Sequence, residues 1–407
     1  MNAVAHKPRV AVVSPFLDKS HGTERTVIEW ITRLSADFEL HIYSQHVEDV
    51  DLSTMVWHRV PKLRGPHLFN FLWWLAANHL WRAWDRRFRG LSYDLVMSPG
   101  VNCLDADIIS VHIVFGEFLS RVHTELRLSA NPVWFWPRLC HRWLYYRLIV
   151  FLERHVYSDL DAFLVLYARK TMGDLDRLYR RRDRCELLYL GLDHATYNPA
   201  RRIELRDSSR SALQIPGHRF QLLMVGNDWH KKGIRVLFET LTLLESLPID
   251  LILVGSEDPA PFRAMAKERG LSKRVRFLPP RKDIEFYYAA ADVYVGPSLE
   301  DTFALPPAEA MACGMPVLVS RENGAFEIMT HAVDGLILDD PTDAVALASM
   351  IQRLYEDRDF REKLGSKAAE TARQFTWEQN ARQLAALFEE IIRRKPRLQG
   401  QETVQEL

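Results

Sequence analysis

Cysteine is scarce in this chain. The four cysteines among 407 residues, Cys103, Cys140, Cys185 and Cys313, lie far apart and never form a CxxC pair. That spacing argues against a disulfide frame or a zinc site and reads as reduced thiols in a cytoplasmic protein. Long apolar runs are missing too: nothing approaches the ~20 residues that a membrane-spanning helix needs. The closest stretch, Leu68 to Trp84, is interrupted by Asn70, Asn78 and His79, and a basic stretch from Arg82 to Arg89 overlaps its end. A buried or interfacial helix is expected there. The N-terminal segment has one short apolar run and no h-region of a secretory signal. Net charge is absent, with 53 basic and 53 acidic residues, so no nucleic-acid partner is expected and any attraction to a polyanion must come from local patches. There is no GxGxxG, which argues against a nicotinamide dehydrogenase, and no GxxxxGK[ST] phosphate loop.

What is present is an ordinary globular composition, 47% hydrophobic and 26% charged, in a chain long enough to predict two domains. Arg9 to Ser14 is a short β-branched run that reads as a buried parallel strand. A polar loop follows, then helical spacing over Arg25 to Leu34 and a strand at Glu39 to Tyr43. With further strands at Leu95 to Ser98, Ile108 to Val111 and Phe163 to Leu166, this is the pattern of an open parallel sheet flanked by helices. Asn198 to His218 reads as a linker with a lead-in helix. The strand–helix alternation restarts at Gln221 and continues through strands at Leu222 to Val225, Leu251 to Val254, Val275 to Leu278, Val293 to Val295 and Val317 to Val319. Two helices end the chain, the last opened by a capping box of Thr376 and Gln379. Two doubly wound sheets imply ligands at the carboxyl ends of their strands, so the loops after strands are where chemistry is expected.

Two such loops stand out. Val225 to Gly233 (VGNDWHKKG) leaves a strand and opens a helix. Gly226 allows a sharp turn and close approach, while Lys231 and Lys232 place cations by a helix N-terminus that already favours an anion. The loop is a phosphate site by composition and position; alone, it is equally a solvated basic turn. Pro297 to Gly314 (PSLEDTFALPPAEAMACG) again runs from strand end to helix. Pro306 and Pro307 suit a first turn, and the amides of Phe303, Ala304 and Leu305 stay free to face a ligand. Asp301 and Glu309, eight positions apart, can accept hydrogen bonds from sugar hydroxyls. The alternative is an acidic loop with a helix-favouring glutamate.

These pieces, with others along the chain, resemble the family 4 retaining glycosyltransferases. HGTE (His21 to Glu24) is similar to that family's glycine-rich first loop. DADIISVH ends at His112, where the family has a cleft histidine. YLGLDHATYNP (Tyr189 to Pro199) is similar to its domain junction. VGNDWHKKG, FLPPRKDIEFYYAAADVYVGPS, DTFALPPAEAMACGMPVLVS, GAFEIM and VDGLIL follow in the family's order. The resemblance implies an α/β chain of GT-B fold, two Rossmann-like doubly wound parallel-sheet domains facing a cleft. The domains are then 1–199 on the acceptor side and 200–377 binding the nucleotide sugar, with a helix at about 378–395 packing back on the first domain and a flexible tail at 396–407.

It implies roles as well. Lys232 neutralises the donor pyrophosphate, Glu309 holds the ribose hydroxyls and Asp301 contacts the donor sugar. The Phe303, Ala304 and Leu305 amides face sugar and phosphates, with Gly226 and Gly233 shaping the loop beside them. Gly22 lets the first loop approach the diphosphate, His112 sits over the transferred sugar, and the backbone near Pro280 and Arg281 meets the base. No cofactor or metal is implied: the DxD pairs Asp105/Asp107, Asp159/Asp161 and Asp174/Asp176 read as helix or turn residues. Three positions depart from the pattern. Asp301 stands where a longer glutamate is usual, directly after Glu300. Asn227 stands where a phosphate-binding arginine is frequent, with Lys231 the substitute. His21 replaces a first glycine.

In the first half, His67 to Arg89 and Trp134 to Arg147 interleave aromatic and basic residues, which suits the headgroup boundary of an anionic membrane or, equally, core aromatics with solvent-side arginines. Arg180 to Arg184 reads as a solvated helix end. The expectation is a metal-independent retaining transferase, cytoplasmic and peripheral to the membrane. It would move sugar from a nucleotide-diphosphate sugar to a glycan or lipid-linked acceptor in cell-envelope polysaccharide synthesis. A non-catalytic nucleotide-sugar scaffold, or an epimerase or phosphorylase on the same fold, is the alternative.

Overall fold

A computed structural model describes residues 7–19, 22–63, 65–122 and 136–395. His21, Trp134 and the tail 396–407 fall outside them. The first half runs β1 (Arg9–Val13), β2 (Phe16–Leu17), α1 (Gly22–Leu34), β3 (Glu39–Ser44), β4 (His46–Val47), β5 (Met55–Arg59), α2 (His67–Arg89), β6 (Leu95–Pro99), β7 (Ile108–Ser110), α3 (Phe115–Val122), α4 (Trp136–Ser158), β8 (Phe163–Leu166), α5 (Arg169–Tyr179) and β9 (Cys185–Leu187). Its main sheet is parallel, in the order β5-β3-β1-β6-β7-β8-β9. The direction of winding reverses between β1 and β6, so the crevice opens beyond those strand ends.

The second half runs α6 (Pro199–Ala212), β10 (Phe220–Val225), α7 (Ile234–Leu243), β11 (Ile249–Val254), α8 (Ala260–Glu268), β12 (Val275–Leu278), α9 (Glu285–Ala290), β13 (Val293–Gly296), α10 (Leu305–Ala312), β14 (Val317–Ser320), β15 (Leu336–Leu338), α11 (Ala344–Glu356), α12 (Arg358–Ala372) and α13 (Trp377–Arg394). Its sheet order is β12-β11-β10-β13-β14-β15, all parallel. Winding reverses between β10 and β13. β10, β11 and β13 are buried at every position, largely apolar runs with the buried Gln221 and Asp250 as polar members, as suits strands covered by helices on both faces.

Two sequence expectations change. The lead-in helix expected in Asn198 to His218 is α6, and it takes up most of the segment expected as linker. Asn198 caps it by accepting from the Arg201 amide, and Pro199 sits in its first turn. Arg202, Arg206 and Arg210, one turn apart, donate to the carbonyls of Tyr288, Ala289, Ala290 and Ala291 at the end of α9. The helix therefore belongs to the second domain's packing. In Arg180 to Arg184, Arg181 is buried and donates to the carbonyls of Asp159 and Ala162. The reason is local: Arg180 turns the chain in the left-handed region, φ 54°, which ends α5 and sends the next side chain inward.

The chain crosses between the halves twice, and the crossings lie side by side. The Leu192 amide donates to the Phe375 carbonyl at 3.1 Å. A Cβ on Gly191 would lie 2.4 Å from the Trp377 Cα, so only glycine fits. After the second crossing α13 packs on α1 of the first half. Trp30 donates to Asn380, Phe38 meets Phe388 edge to face, and Arg33 pairs with Glu378.

Candidate active site

The loops that the sequence singles out leave β10 and β13, the two strands flanking the second switch point. They are stitched together: the Leu299 amide donates to the Lys231 carbonyl at 2.7 Å. Gly233, φ 86°, starts α7 so close to this neighbour that a Cβ would stand 2.1 Å from the Pro297 carbonyl oxygen. Gly226, φ 129°, leaves room for the Lys232 side chain, whose Cε a Cβ would meet at 2.4 Å. Both glycines are thus required by geometry.

The resulting charges pair across the loops. Lys232 Nζ donates to Asp301 Oδ2 at 2.8 Å, and Lys231 Nζ pairs with Glu300 Oε2 at 2.5 Å. Burial pushes the Asp301 carboxyl up, but Lys232 and Lys231 outweigh it and hold it below its usual range. Burial likewise opposes the Lys231 ammonium, and Glu300 with Asp301 overcomes it. Glu300 therefore has a partner of its own and leaves Asp301 to Lys232. Lys231 also lies 5.5 Å from the ring centre of Phe118 on α3, a contact across the cleft. The Asn227 side-chain oxygen accepts from the Ser256 amide at 2.7 Å, so it braces the next loop.

Phe303 and Ala304 lead into α10, and Leu305 opens it. All three are buried, and Ala304 stands at the N-cap without a side-chain cap. Pro306 and Pro307 carry no amide hydrogen, so the donors at this end belong to the residues around Ala304. Glu309 lies inside the cleft with its side chain only 4% exposed. Its Oε2 accepts from the Tyr288 hydroxyl at 2.8 Å, and its Oε1 from Arg25 Nη1 at 2.7 Å. Arg25 comes from the first turn of α1, three residues after Gly22, and its Nη2 also reaches the Tyr197 hydroxyl at 3.4 Å.

His112 follows β7. Its Nε2 lies 3.0 Å from the Tyr167 hydroxyl and 3.1 Å from Ser110 Oγ. Burial pushes its pKa down to about 3. The imidazole is neutral at pH 7 and contributes a hydrogen bond, not a charge. Behind it the Glu153 carboxylate, fully buried, accepts from the Phe115 and Gly116 amides at 2.8 and 3.0 Å and caps α3. Burial raises its pKa to about 7.

The structure therefore places Gly226, Lys231, Lys232 and Gly233 on the loop after β10, joined to Asp301, Phe303 and Ala304 on the loop after β13, with Leu305 and Glu309 in the α10 that follows, and brings the first turn of α1, which begins at Gly22, to Glu309. The Arg281 side chain is exposed, paired with Asp283 and placed over the Phe286 ring at 4.1 Å. Sequence reasoning missed Arg25, Tyr288, Tyr167, Phe118 and Glu327. Glu327 accepts from the Arg169 and Lys170 amides at 2.8 and 2.9 Å and from the Tyr189 hydroxyl at 3.0 Å, so a second-domain carboxylate caps a first-domain helix. For Arg25 the available signal was its place directly after HGTE; for the rest, pairs far apart in sequence carry none.

The acidic pairs have other partners. Asp105 binds Arg82, Asp107 binds the Val96 amide and Lys395, Asp159 accepts from the Asp161 amide, Asp174 binds Lys170 and Arg177, and Asp176 binds Arg182. Among the described residues one cluster, His79, Cys103 and Asp105, has metal-ligand chemistry. The Arg82 guanidinium contacts all three at 2.8, 3.3 and 2.6 Å, so a cation already stands there.

Comparison with known proteins points one way. The family described as Glycosyl transferases group 1 matches residues 206–371. The D-inositol 3-phosphate glycosyltransferase of Corynebacterium efficiens is 33% identical over 320 residues, 74% of this chain and 72% of its own length. That of Corynebacterium glutamicum is 32% identical over 252 residues, 59% of this chain and 60% of its own. Among solved structures, WaaG, a glycosyltransferase involved in lipopolysaccharide biosynthesis, superposes with TM-score 0.73 at 20% identity, covering 93% of this chain and 99% of its own. HepE of Anabaena in complex with UDP-glucose gives TM-score 0.69 at 20% identity over 94% of this chain and 99% of its own.

Proposed function

Because the chain belongs to the group 1 glycosyl transferases, and is thus a glycosyltransferase with the GT-B fold, we propose that it moves a sugar from a nucleotide-diphosphate sugar to a glycan or lipid-linked acceptor, with retention and without a metal. The observation that carries the donor reading is the joining of the two loops at the β10/β13 switch point, where Lys232 sits on Asp301 at 2.8 Å and Glu309 lies in the adjoining helix. A diphosphate leaving group gains negative charge as the bond to the sugar C1 breaks. Fixed cations and helix-terminal amides stabilise that charge without reorganising. HepE, of the same fold, binds UDP-glucose, which makes a UDP-sugar the first donor to try. Retention follows from a front-face route: the acceptor oxygen bonds to C1 on the face the phosphate leaves, and the departing phosphate oxygen takes the acceptor proton. Glu300, Asp301 and Glu309, the carboxylates of this loop and helix, are each tied to a cation, which disfavours any of them as a nucleophile.

The relatives' names favour a second acceptor reading, D-inositol 3-phosphate. The deciding experiment is a thermal-shift screen against UDP, GDP, ADP, CMP and their sugars, with Lys232→Ala as control. Transfer is then assayed to D-inositol 3-phosphate and to lipid-linked glycans, with and without EDTA. A diphosphate that stabilises the wild type and not the variant supports this cleft. No response to any nucleotide, or a loss with EDTA that metal restores, counts against the reading.

A further inference from the structure

We propose that Arg25 is a further residue of the donor site, contributed by the opposite domain: it holds one edge of Glu309 until a nucleoside diphosphate enters, then yields that edge to the ribose diol. This rests on the reading of Glu309 as the ribose ligand.

The argument starts from which partner of Glu309 can leave. One carboxylate oxygen accepts from Tyr288 and the other from Arg25, and the side chain is 4% exposed. Tyr288 is completely buried on α9, so its hydroxyl has nowhere to move. Arg25 is 23% exposed, on a long flexible stem at the start of α1. A diol approaching the carboxylate therefore comes in on the Arg25 side and must displace it. A neutral diol replaces the hydrogen bonds but not the cation, and a buried carboxylate without a counter-charge is costly.

The same contact ties donor binding to domain geometry. Arg25 links α1 of the first domain to α10 of the second and lies over the ring of Tyr197, at the junction between them, 5.7 Å from its centre. Releasing it removes a tie at the hinge side of the cleft. A nucleotide lacking the 2′ and 3′ hydroxyls has no group with which to compete for Glu309 and leaves the tie intact.

The test is titration calorimetry of wild type, Arg25→Ala, Arg25→Lys and Glu309→Gln with UDP, GDP and ADP and with their 2′,3′-dideoxy counterparts. Arg25→Ala is expected to bind the preferred ribose nucleotide roughly 5-fold or more tightly than wild type and the dideoxy form unchanged, with Arg25→Lys between. Unchanged or weaker ribose binding by Arg25→Ala, or an equal gain for the dideoxy form, overturns the proposal. A Glu309→Gln protein that still prefers ribose to dideoxyribose as strongly as wild type overturns instead the ribose role of Glu309. Absence of binding by all three nucleotides to wild type overturns both. Arg25→Lys, which keeps the charge, guards against a misfolded alanine variant.

Discussion

Glu309 shows what a single side chain carries here. Its carboxylate is buried between a tyrosine of its own domain and an arginine of the other. Replacing Glu309 with alanine is expected to lower kcat/KM about 10- to 100-fold, chiefly through KM, the scale for losing charged hydrogen bonds to the ribose, with the circular dichroism spectrum unchanged; a near-wild-type kcat/KM would remove it from the site. Glu153 behaves differently because its carboxyl titrates high, at about 7. A carboxyl whose folded pKa exceeds its unfolded value contributes stability that is complete below the unfolded pKa, and loses it as pH rises through the folded one. Stability should therefore fall between about pH 4.5 and 7 on this account, and Glu153→Gln should flatten that slope in urea titrations. An identical slope in the variant would assign the pH dependence elsewhere. Lysines beside a glycine and carboxylates at fixed spacing gave Lys232, Asp301 and Glu309 away in the sequence. The pairing across the domains had no local mark: Arg25 and Glu309 are 284 positions apart, and only folding brings them together.

Among the elements, the buried strands were legible because a strand covered on both faces is largely apolar. The partly buried β9 and the three-residue β15 were not. The helix α6 was expected, but its packing was not: its arginines face carbonyls at the end of α9 instead of solvent. Helix α5 has an alanine at its N-cap position and no side-chain cap of its own; Glu327 supplies one from the other domain. Glu327→Ala should cost about 1 kcal/mol, the usual loss for a cap, and lower the urea midpoint. An unchanged midpoint would mean that water replaces this cap without loss.

At the scale of the whole molecule, two helices of the first domain show apolar surface. α2 exposes Phe69, Leu80, Trp84 and Phe88, and α4 exposes Trp143, Leu144 and Phe151. His67 and Phe71 pack on Tyr145 and join the two helices. Arg86, Arg87 and Arg89 close α2, and Arg147 lies over Trp143. No helix among the described residues is long and apolar enough to cross a membrane. We propose that this face rests on an anionic bilayer surface. Co-sedimentation with anionic vesicles at low salt should exceed that with neutral ones, and should fall for the double variant Trp84→Ser, Phe88→Ser. Equal sedimentation with both vesicle types would leave the aromatics as plain surface.

The return of α13 to α1 has a consequence in time. A ribosome releases the chain from its N-terminus, so the first domain's strands and α1 emerge long before the helix that covers them. Leu34 and Phe38 belong to the same core as Leu384, Phe388 and Ile391, which lie at the far end of the chain. At about 5–20 residues per second, the second domain takes roughly ten to forty seconds to follow. Through that interval the older half must wait with one flank bare, until a helix made after the whole second domain arrives to cover it.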